Sequence, residues 1–394
     1  MPKPSLKGAI ALASNTPGMP TGYGQQAKML AERAIQSGLE FASFSNYGLE
    51  GKKSTLNIAG KQIQHYPRGL SHYSEDVIPF WYKDFAGQHP DLKTVLFTLY
   101  DVWVYNKMQF EEQIVSWVPL DHITPPPNVL EFLTKENVTP ITMSPFGQEQ
   151  LESVGIPSTY IPHGIDTSLY KPTPDIDGVA TREFMDVAED TFLVGIVAAN
   201  KANGSIHRKA FAENLLAFAT FHAKYPNSQL YIHAEATRVY GGFELAALLR
   251  AVGLDKSAVL LPDPLALREG YPERHLAAFY TAFDVLLSTS YGEGFGIPTI
   301  EAQACGTRVI TSNFAASKDL ASEDSWKIDG QPFWDEAQRA FFSIPSVNRI
   351  TSALEEAYNG ERGHSEIAFD FAAQFDFDHV WQWRWMPFLK GLFS

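Results

Sequence analysis

The sequence predicts an α/β chain of two domains, each a doubly wound parallel sheet, and three observations predict it. The chain has 394 residues, more than a single hydrophobic core usually fills. Short apolar runs alternate with stretches of helical periodicity, the order that parallel strands joined by crossover helices require. The alternation lapses once, over residues 173–190, and then restarts. The expected division is therefore a first α/β domain over 1–172, a linker over 173–190, a second α/β domain over 191–370 and a closing helical segment over 371–394.

The elements follow in order. "GAIALA" (8–13) is a strand and "SNTPGMPTGYG" (14–24) is loop chemistry. Ala27, Leu30, Ala31 and Ala34 then recur at helical spacing until Gly38 stops them. Strands are expected at 94–100, 113–118 and 140–144, separated by helical or proline-rich stretches. The linker, "TPDIDGVATREFMDVAED", has a proline and many acids but little apolar periodicity. Beyond it come a strand at 192–200, a helix from about 209 to 224, a strand at 229–234 and a helix at 243–252. A strand at 259–261, a helix at 273–283 and a strand at 284–290 complete the pattern. No fixed short repeat and no low-complexity tract is present, which excludes solenoid and disordered readings.

Composition narrows the function. Apolar residues make up 45% and charged residues 19%, no apolar run is long enough to span a bilayer, and no charged-then-apolar leader opens the chain. Cys305 is the single cysteine, which permits no intrachain disulfide and reads as a buried structural thiol; a cytoplasmic location is expected. The net charge of -14 repels phosphate backbones, so nucleic acid is not a favoured partner.

The chemistry concentrates in "SYGEGFGIPTIEAQACGTRVITS" (290–312), which follows the strand at 284–290 and so lies at the carboxyl edge of a parallel sheet, where such folds bind ligands. Pro298 suits a first helical position and Gly306 ends the helix. The backbone N–H groups of Gly296, Ile297 and Thr299 are then candidate anion donors at the helix start. Glu293 precedes that helix and Glu301 lies one turn into it. Two carboxylates cannot both bind phosphate, but they can accept hydrogen bonds from hydroxyls on groups flanking it, a sugar on one side and a ribose on the other.

Glu293-Gly294-Phe295-Gly296-Ile297-Pro298-Thr299-Ile300-Glu301 resembles the E-x7-E motif of retaining, nucleotide-sugar-dependent glycosyltransferases of the GT-B fold, group 1. The strand-loop-helix-strand run "DVLLSTSYGEGFGIPTIEAQACGTRVI" resembles that family over its full length. "YIPHGIDTSLYKP" (160–172) resembles its domain-boundary signature, and "FDFDHVWQWRWMPFL" its C-terminal helix. The resemblance implies two Rossmann-like domains facing across a cleft, with the C-terminal helix crossing back to the first. It implies that the first domain holds the acceptor and the second the donor, a nucleotide diphosphate sugar. It implies transfer to an acceptor hydroxyl with retention, with no cofactor.

Residue roles follow by the same resemblance. Glu293 contacts the donor sugar and Glu301 the ribose, with 294–299 forming the donor loop between them. In "NKANGSIHRKA" (200–210), Lys209 aligns with the family's phosphate-binding lysine, Ala210 replaces the usual glycine after it, and either Lys201 or Arg208 supplies a second cation. Gly22, Tyr23 and Gly24 resemble the first-loop glycines that approach the donor phosphates. His122 in "VPLDH" resembles the donor-facing histidine, with Asp121 orienting its ring, while His163 and Asp166 brace the domain boundary. Two D-x-D matches, Asp175/Asp177 and Asp376/Asp378, follow no core strand and read as solvated or capping carboxylates, so no metal is expected.

Two other readings stay open: a nucleotide-sugar epimerase or sugar phosphorylase on the same architecture, and a non-catalytic nucleotide-sugar binder. A dinucleotide dehydrogenase is disfavoured, since no G-x-G-x-x-G opens a helix after a strand. The expected acceptor is soluble, a saccharide or a protein. Phe80, Trp81, Tyr82, Tyr100, Trp103, Tyr105 and Trp117 are candidate stacking rings for it, most of them expected in the core.

Overall fold

The computed structural model describes residues 6–46, 51–202, 204, 206–239 and 241–394; Asn203 and Ser205 of the expected cation loop lie outside the described residues. The chain divides into two compact units. Unit 1 comprises residues 1–164, 336–340 and 377–394, and unit 2 comprises 165–335 and 341–376.

In unit 1 the elements are β1 (Ala9–Ser14), α1 (Gly22–Gln36), β2 (Glu40–Ser45), β3 (Ser54–Ile58), β4 (Lys61–Tyr66), α2 (Ile78–Gln88), β5 (Thr94–Thr98), β6 (Ile114–Val118), α3 (Pro127–Leu133), β7 (Val138–Thr142), α4 (Pro145–Glu152) and β8 (Thr159–Tyr160). The described residues form an eight-stranded sheet in the order β3-β4-β2-β1-β5-β6-β7-β8. β3 pairs antiparallel with β4 and every other pairing is parallel. Ala9, Ile10 and Ala11 are fully buried, as a central strand covered on both faces demands.

Unit 2 begins with the hairpin β9 (Asp175–Ile176) and β10 (Val179–Ala180) and the short α5 (Thr181–Phe184), so the expected linker is folded and lies within this unit. Its sheet elements are β11 (Phe192–Val197), α6 (Phe211–Lys224), β12 (Ser228–His233), α7 (Leu245–Ala251), β13 (Val259–Leu260), α8 (Pro264–Glu269), α9 (Glu273–Ala282), β14 (Val285–Ser288), α10 (Ile297–Ala304), β15 (Val309–Ser312) and β16 (Trp326–Ile328). These strands run parallel in the order β13-β12-β11-β14-β15-β16. A second hairpin, β17 (Gly330–Asp335) and β18 (Ala340–Pro345), precedes α11 (Val347–Asn359) and α12 (Glu366–Ala373). The order of strands reverses between β11 and β14 in unit 2 and between β1 and β5 in unit 1, the points at which such sheets open a crevice.

The chain then returns to unit 1 through α13 (Phe377–Val380), a π-helical turn (Trp381–Trp385) and α14 (Met386–Phe393). Trp381 and Trp385 are buried and Trp383 is exposed, which resolves the alternate tryptophan spacing: only the two rings one turn apart face inward. Trp385 meets Trp117 edge to face at 4.9 Å and lies 6.3 Å from Phe97, both on strands of this unit. Of the candidate stacking rings, Tyr82, Tyr100, Tyr105 and Trp117 are buried, while Phe80 and Trp103 are exposed.

Among the described residues, no helix is long and apolar enough to cross a membrane.

Candidate active site

β11 and β14 are hydrogen-bonded neighbours that run parallel, so the loops leaving their carboxyl ends emerge side by side. The first loop carries Arg208 and Lys209 into α6, and the second carries Glu293 into α10. The loops are tied by their backbones, the Tyr291 N–H donating to the Arg208 carbonyl at 2.7 Å. Tyr291 also donates through its hydroxyl to Glu213 on α6 at 2.8 Å.

Glu293 is the centre of this cluster. Arg208 Nη1 donates to its Oε2 at 2.8 Å, and Lys209 Nζ and Ser290 Oγ donate to its Oε1, the serine at 2.6 Å. Arg208 Nη1 also reaches the Gly292 carbonyl at 2.8 Å. The glutamate is only 8% exposed. Burial pushes its carboxyl upward, but the charges of Arg208 and Lys209, with the lysine and serine hydrogen bonds, outweigh burial and hold it well below the usual carboxylate range.

Glu301 is handled in the opposite way. It lies on α10, buried, and accepts a hydrogen bond from the Tyr280 hydroxyl at 2.8 Å. Burial pushes its carboxyl up to about 7, hydrogen bonds from Tyr280 and Tyr170 working against that rise and the Glu273 charge adding to it. Eight residues apart, one carboxylate is held ionised by cations and the other titrates near neutrality.

The turn between them depends on Gly296, whose φ of +118° lies in the left-handed region that a side chain disfavours. The Thr299 N–H donates back to the Gly296 carbonyl at 3.0 Å, so of the three expected anion donors it is committed to the helix start itself. Pro298 follows the first helical residue, as its missing N–H allows, and Ile297 opens the helix. The Phe295 side chain is buried, 5.7 Å from the Phe375 ring, so only its backbone is placed to meet a ligand. Gly294 completes the turn.

Lys209 stands two residues before α6, where a place in its first turn was expected. Ala210 between them has φ 51° and ψ 34°, the left-handed conformation that glycine supplies without strain. Lys201 is exposed, with its backbone bridged to Gly241; Arg208, one of the two candidates for the second cation, shares Glu293 with Lys209.

In unit 1, Gly22, Tyr23 and Gly24 form the first turn of α1 where a loop was expected. Thr21 caps that turn, its hydroxyl accepting from the Gly24 N–H at 3.0 Å. A Cβ on Gly24 would lie 2.5 Å from the Met19 carbonyl oxygen, which explains a glycine inside a helix. The Tyr23 ring packs edge-on to Tyr100 at 5.7 Å. His122 is buried in the loop that follows β6, and its Nδ1–H donates to Asp121 at 2.7 Å, the expected orienting contact. His163 is buried 4.4 Å from Trp117, and burial lowers its pKa to about 3, consistent with a neutral packing residue. Asp166 holds its own turn, accepting from the Ser168 N–H at 2.9 Å.

Both D-x-D matches are committed elsewhere. Asp175 accepts from the Gly178 N–H at 3.0 Å and Asp177 pairs with Arg274. Asp376 accepts from Thr167 at 2.6 Å and Asp378 pairs with Arg33 at 2.9 Å. Ser290, Tyr170 and Tyr280 are site residues that the sequence did not single out. Ser290 stands three residues before Glu293, at the end of the expected strand leading into the motif, where a hydroxyl donor was readable.

The architecture is that of GT-B glycosyltransferases, and residues 266–340, which include Glu293 and Glu301, match the family model of glycosyl transferases group 1. Over 117 residues the chain is 44% identical to a D-inositol 3-phosphate glycosyltransferase of Rhodococcus opacus, covering 29% of this chain and 24% of that one. Over 69 residues it is 45% identical to the enzyme of that name from Rhodococcus erythropolis, covering 18% and 14%. The chain thus spans less than a third of the length of these relatives. Across its whole length the fold is similar to sucrose-phosphate synthase from Thermosynechococcus elongatus, with a TM-score of 0.72, 16% identity, and 98% and 99% of the two chains covered. It is also similar to an α,α-trehalose 6-phosphate synthase from Burkholderia multivorans, with a TM-score of 0.66, 14% identity, and 98% and 97% covered.

Proposed function

We propose that this protein is a glycosyltransferase that moves a hexose-type sugar from a nucleotide diphosphate sugar to an acceptor hydroxyl, with retention at the anomeric carbon and without a metal or other cofactor. The observation that carries the reading is the meeting of Arg208, Lys209 and Glu293 at the carboxyl edge where β11 and β14 diverge. The D-inositol 3-phosphate glycosyltransferase names of the relatives support it from the sequence side.

In this reading the diphosphate leaving group takes the two cations, with α10 opening toward it. Glu293 accepts hydrogen bonds from the donor sugar and Glu301 from the ribose. As the glycosidic bond lengthens, positive charge spreads over the sugar and negative charge gathers on the diphosphate, which Arg208 and Lys209 stabilise through fixed charge. The departing phosphate oxygen takes the acceptor hydroxyl's proton, so no separate base is needed. His122, held by Asp121, is assigned to the transferring sugar.

The test is a panel of nucleotide sugars offered with inositol phosphates, sugar phosphates, free saccharides and proteins, in EDTA and in Mg²⁺. Transferred sugar is read by mass spectrometry and its anomeric configuration by NMR. The expected result is a product of retained configuration formed in EDTA. Free nucleotide without a glycosylated product, an inverted product, or turnover that needs Mg²⁺ would each refute the corresponding part. Donor binding with no turnover across the panel would favour the non-catalytic binder.

A further inference from the structure

Every oxygen of the Glu293 carboxylate is engaged by a donor that a diphosphate would want. Oε2 takes Arg208, and Oε1 takes Lys209 and Ser290. A carboxylate and a phosphate cannot hold the same two cations at full strength, because the anions repel one another. We propose that Glu293 is an internal substitute for the diphosphate: it pairs with both Arg208 and Lys209 when no diphosphate is bound, is displaced when a diphosphate binds, and recovers its lost hydrogen bonds only when that diphosphate carries a sugar. This rests on the donor reading proposed for the site.

The consequence is discrimination between donor and product. With a nucleotide sugar bound, sugar hydroxyls donate to the displaced carboxylate in place of the cations. A nucleoside diphosphate brings only its ribose hydroxyls, which the donor reading gives to Glu301. Of Arg208, Lys209 and Ser290, its binding would leave only Ser290 donating to a carboxylate that is 8% exposed, and a buried charge deprived of its partners is costly. Glu293 therefore closes again on Arg208 and Lys209 after transfer and drives the leaving group out. The residue contributes to turnover twice, by holding the sugar before the reaction and by reclaiming the cations after it.

The experiment measures binding of inorganic pyrophosphate and of a panel of nucleoside diphosphates by calorimetry, in the wild type, Glu293→Gln, Glu293→Ala and Arg208→Ala. Glu293→Gln keeps the shape and the Ser290 contact and removes the charge; Glu293→Ala removes the competitor altogether. Both are expected to bind pyrophosphate and the preferred nucleoside diphosphate about tenfold more tightly than the wild type, a gain typical of removing one like charge from a partly buried site. Their preference for nucleotide sugar over nucleoside diphosphate should fall, and sugar transfer should be lost. Arg208→Ala should weaken both diphosphates. Unchanged or weaker diphosphate binding in the glutamate variants, with Arg208→Ala still weakening it, overturns the proposal and leaves the donor reading standing. Diphosphate binding that is absent from the wild type and from all three variants overturns both.

Discussion

Replacing Glu301 by glutamine tests the buried carboxylate without disturbing its shape. Burial raises its pKa from the ordinary 4.5 to about 7 in the folded chain. A folded-state pKa raised above the unfolded one means stability that is fully present below the unfolded value and lost as pH rises toward and through the folded one. At 1.36 kcal/mol per unit, the shift corresponds to about 3 kcal/mol. By linkage, the wild type should give up about 1 kcal/mol of this by about pH 5 and about 3 kcal/mol by about pH 8. Glu301→Gln has no charge to desolvate and should escape the loss. Urea unfolding of both proteins across that range should therefore show the variant gaining on the wild type by about 2 kcal/mol between the two pH values. A difference that stays flat with pH, or one that moves toward the wild type as pH rises, would refute the assignment of a burial-raised carboxyl.

Three further outcomes are expected. Lys209→Ala should lower turnover at saturating donor by about a hundredfold, the usual scale for losing one preorganised charge, with a smaller change in donor affinity. Lys224→Ala, at the far end of α6 and paired with Glu355 on the surface, should behave as wild type in the same assay; loss of affinity alone in Lys209→Ala would make that lysine a docking residue. Ala210→Gly should leave stability unchanged or raise it by up to about 1 kcal/mol in chemical denaturation, because relief of a left-handed alanine offsets the entropy of an added glycine; a clear loss would contradict the left-handed assignment. Arg182→Met should destabilise by about 3 kcal/mol, since it strips a partly buried pair with Asp284 at 2.9 Å and the contacts to the Thr191 and Ala282 carbonyls; an unfolding curve that coincides with wild type would count against it.

The switch-edge chemistry was legible because it is local: one loop and one helix start carry Glu293 and Glu301, with the glycine and proline that shape the turn between them. What surrounds them was not. Tyr280 reaches Glu301 from α9, and Arg208 reaches Glu293 from a loop more than eighty residues earlier, and no periodicity encodes such meetings. The β3–β4, β9–β10 and β17–β18 hairpins were overlooked, the first two for different reasons. The β3–β4 turn is Ala59-Gly60, with φ of 50° and 78°, so alanine hides a conformation that is normally announced by asparagine or aspartate. The β9–β10 turn is Asp177-Gly178, with φ of 53° and 85°, the usual signal, masked by Pro174 and the acids around it, which read as a linker. The left-handed Ala210 belongs with these, since a missing glycine was visible while the retained backbone geometry was not.

The return of residues 377–394 to unit 1 sets an order on biosynthesis. Unit 2 has all its strands and helices once residue 376 has been made, although it begins at residue 165. Unit 1 starts earlier and must wait: until the π-helical turn and α14 arrive, Trp117 faces no Trp385, Phe393 does not cover Gly8, and Lys93 lacks the Leu392 carbonyl. Domains emerging from a ribosome ordinarily complete themselves from the amino end. Here the sheet that emerges first is sealed last, so its apolar face is the surface that a nascent-chain chaperone would hold longest, and a stop codon after residue 376 would leave unit 2 whole and unit 1 unsealed.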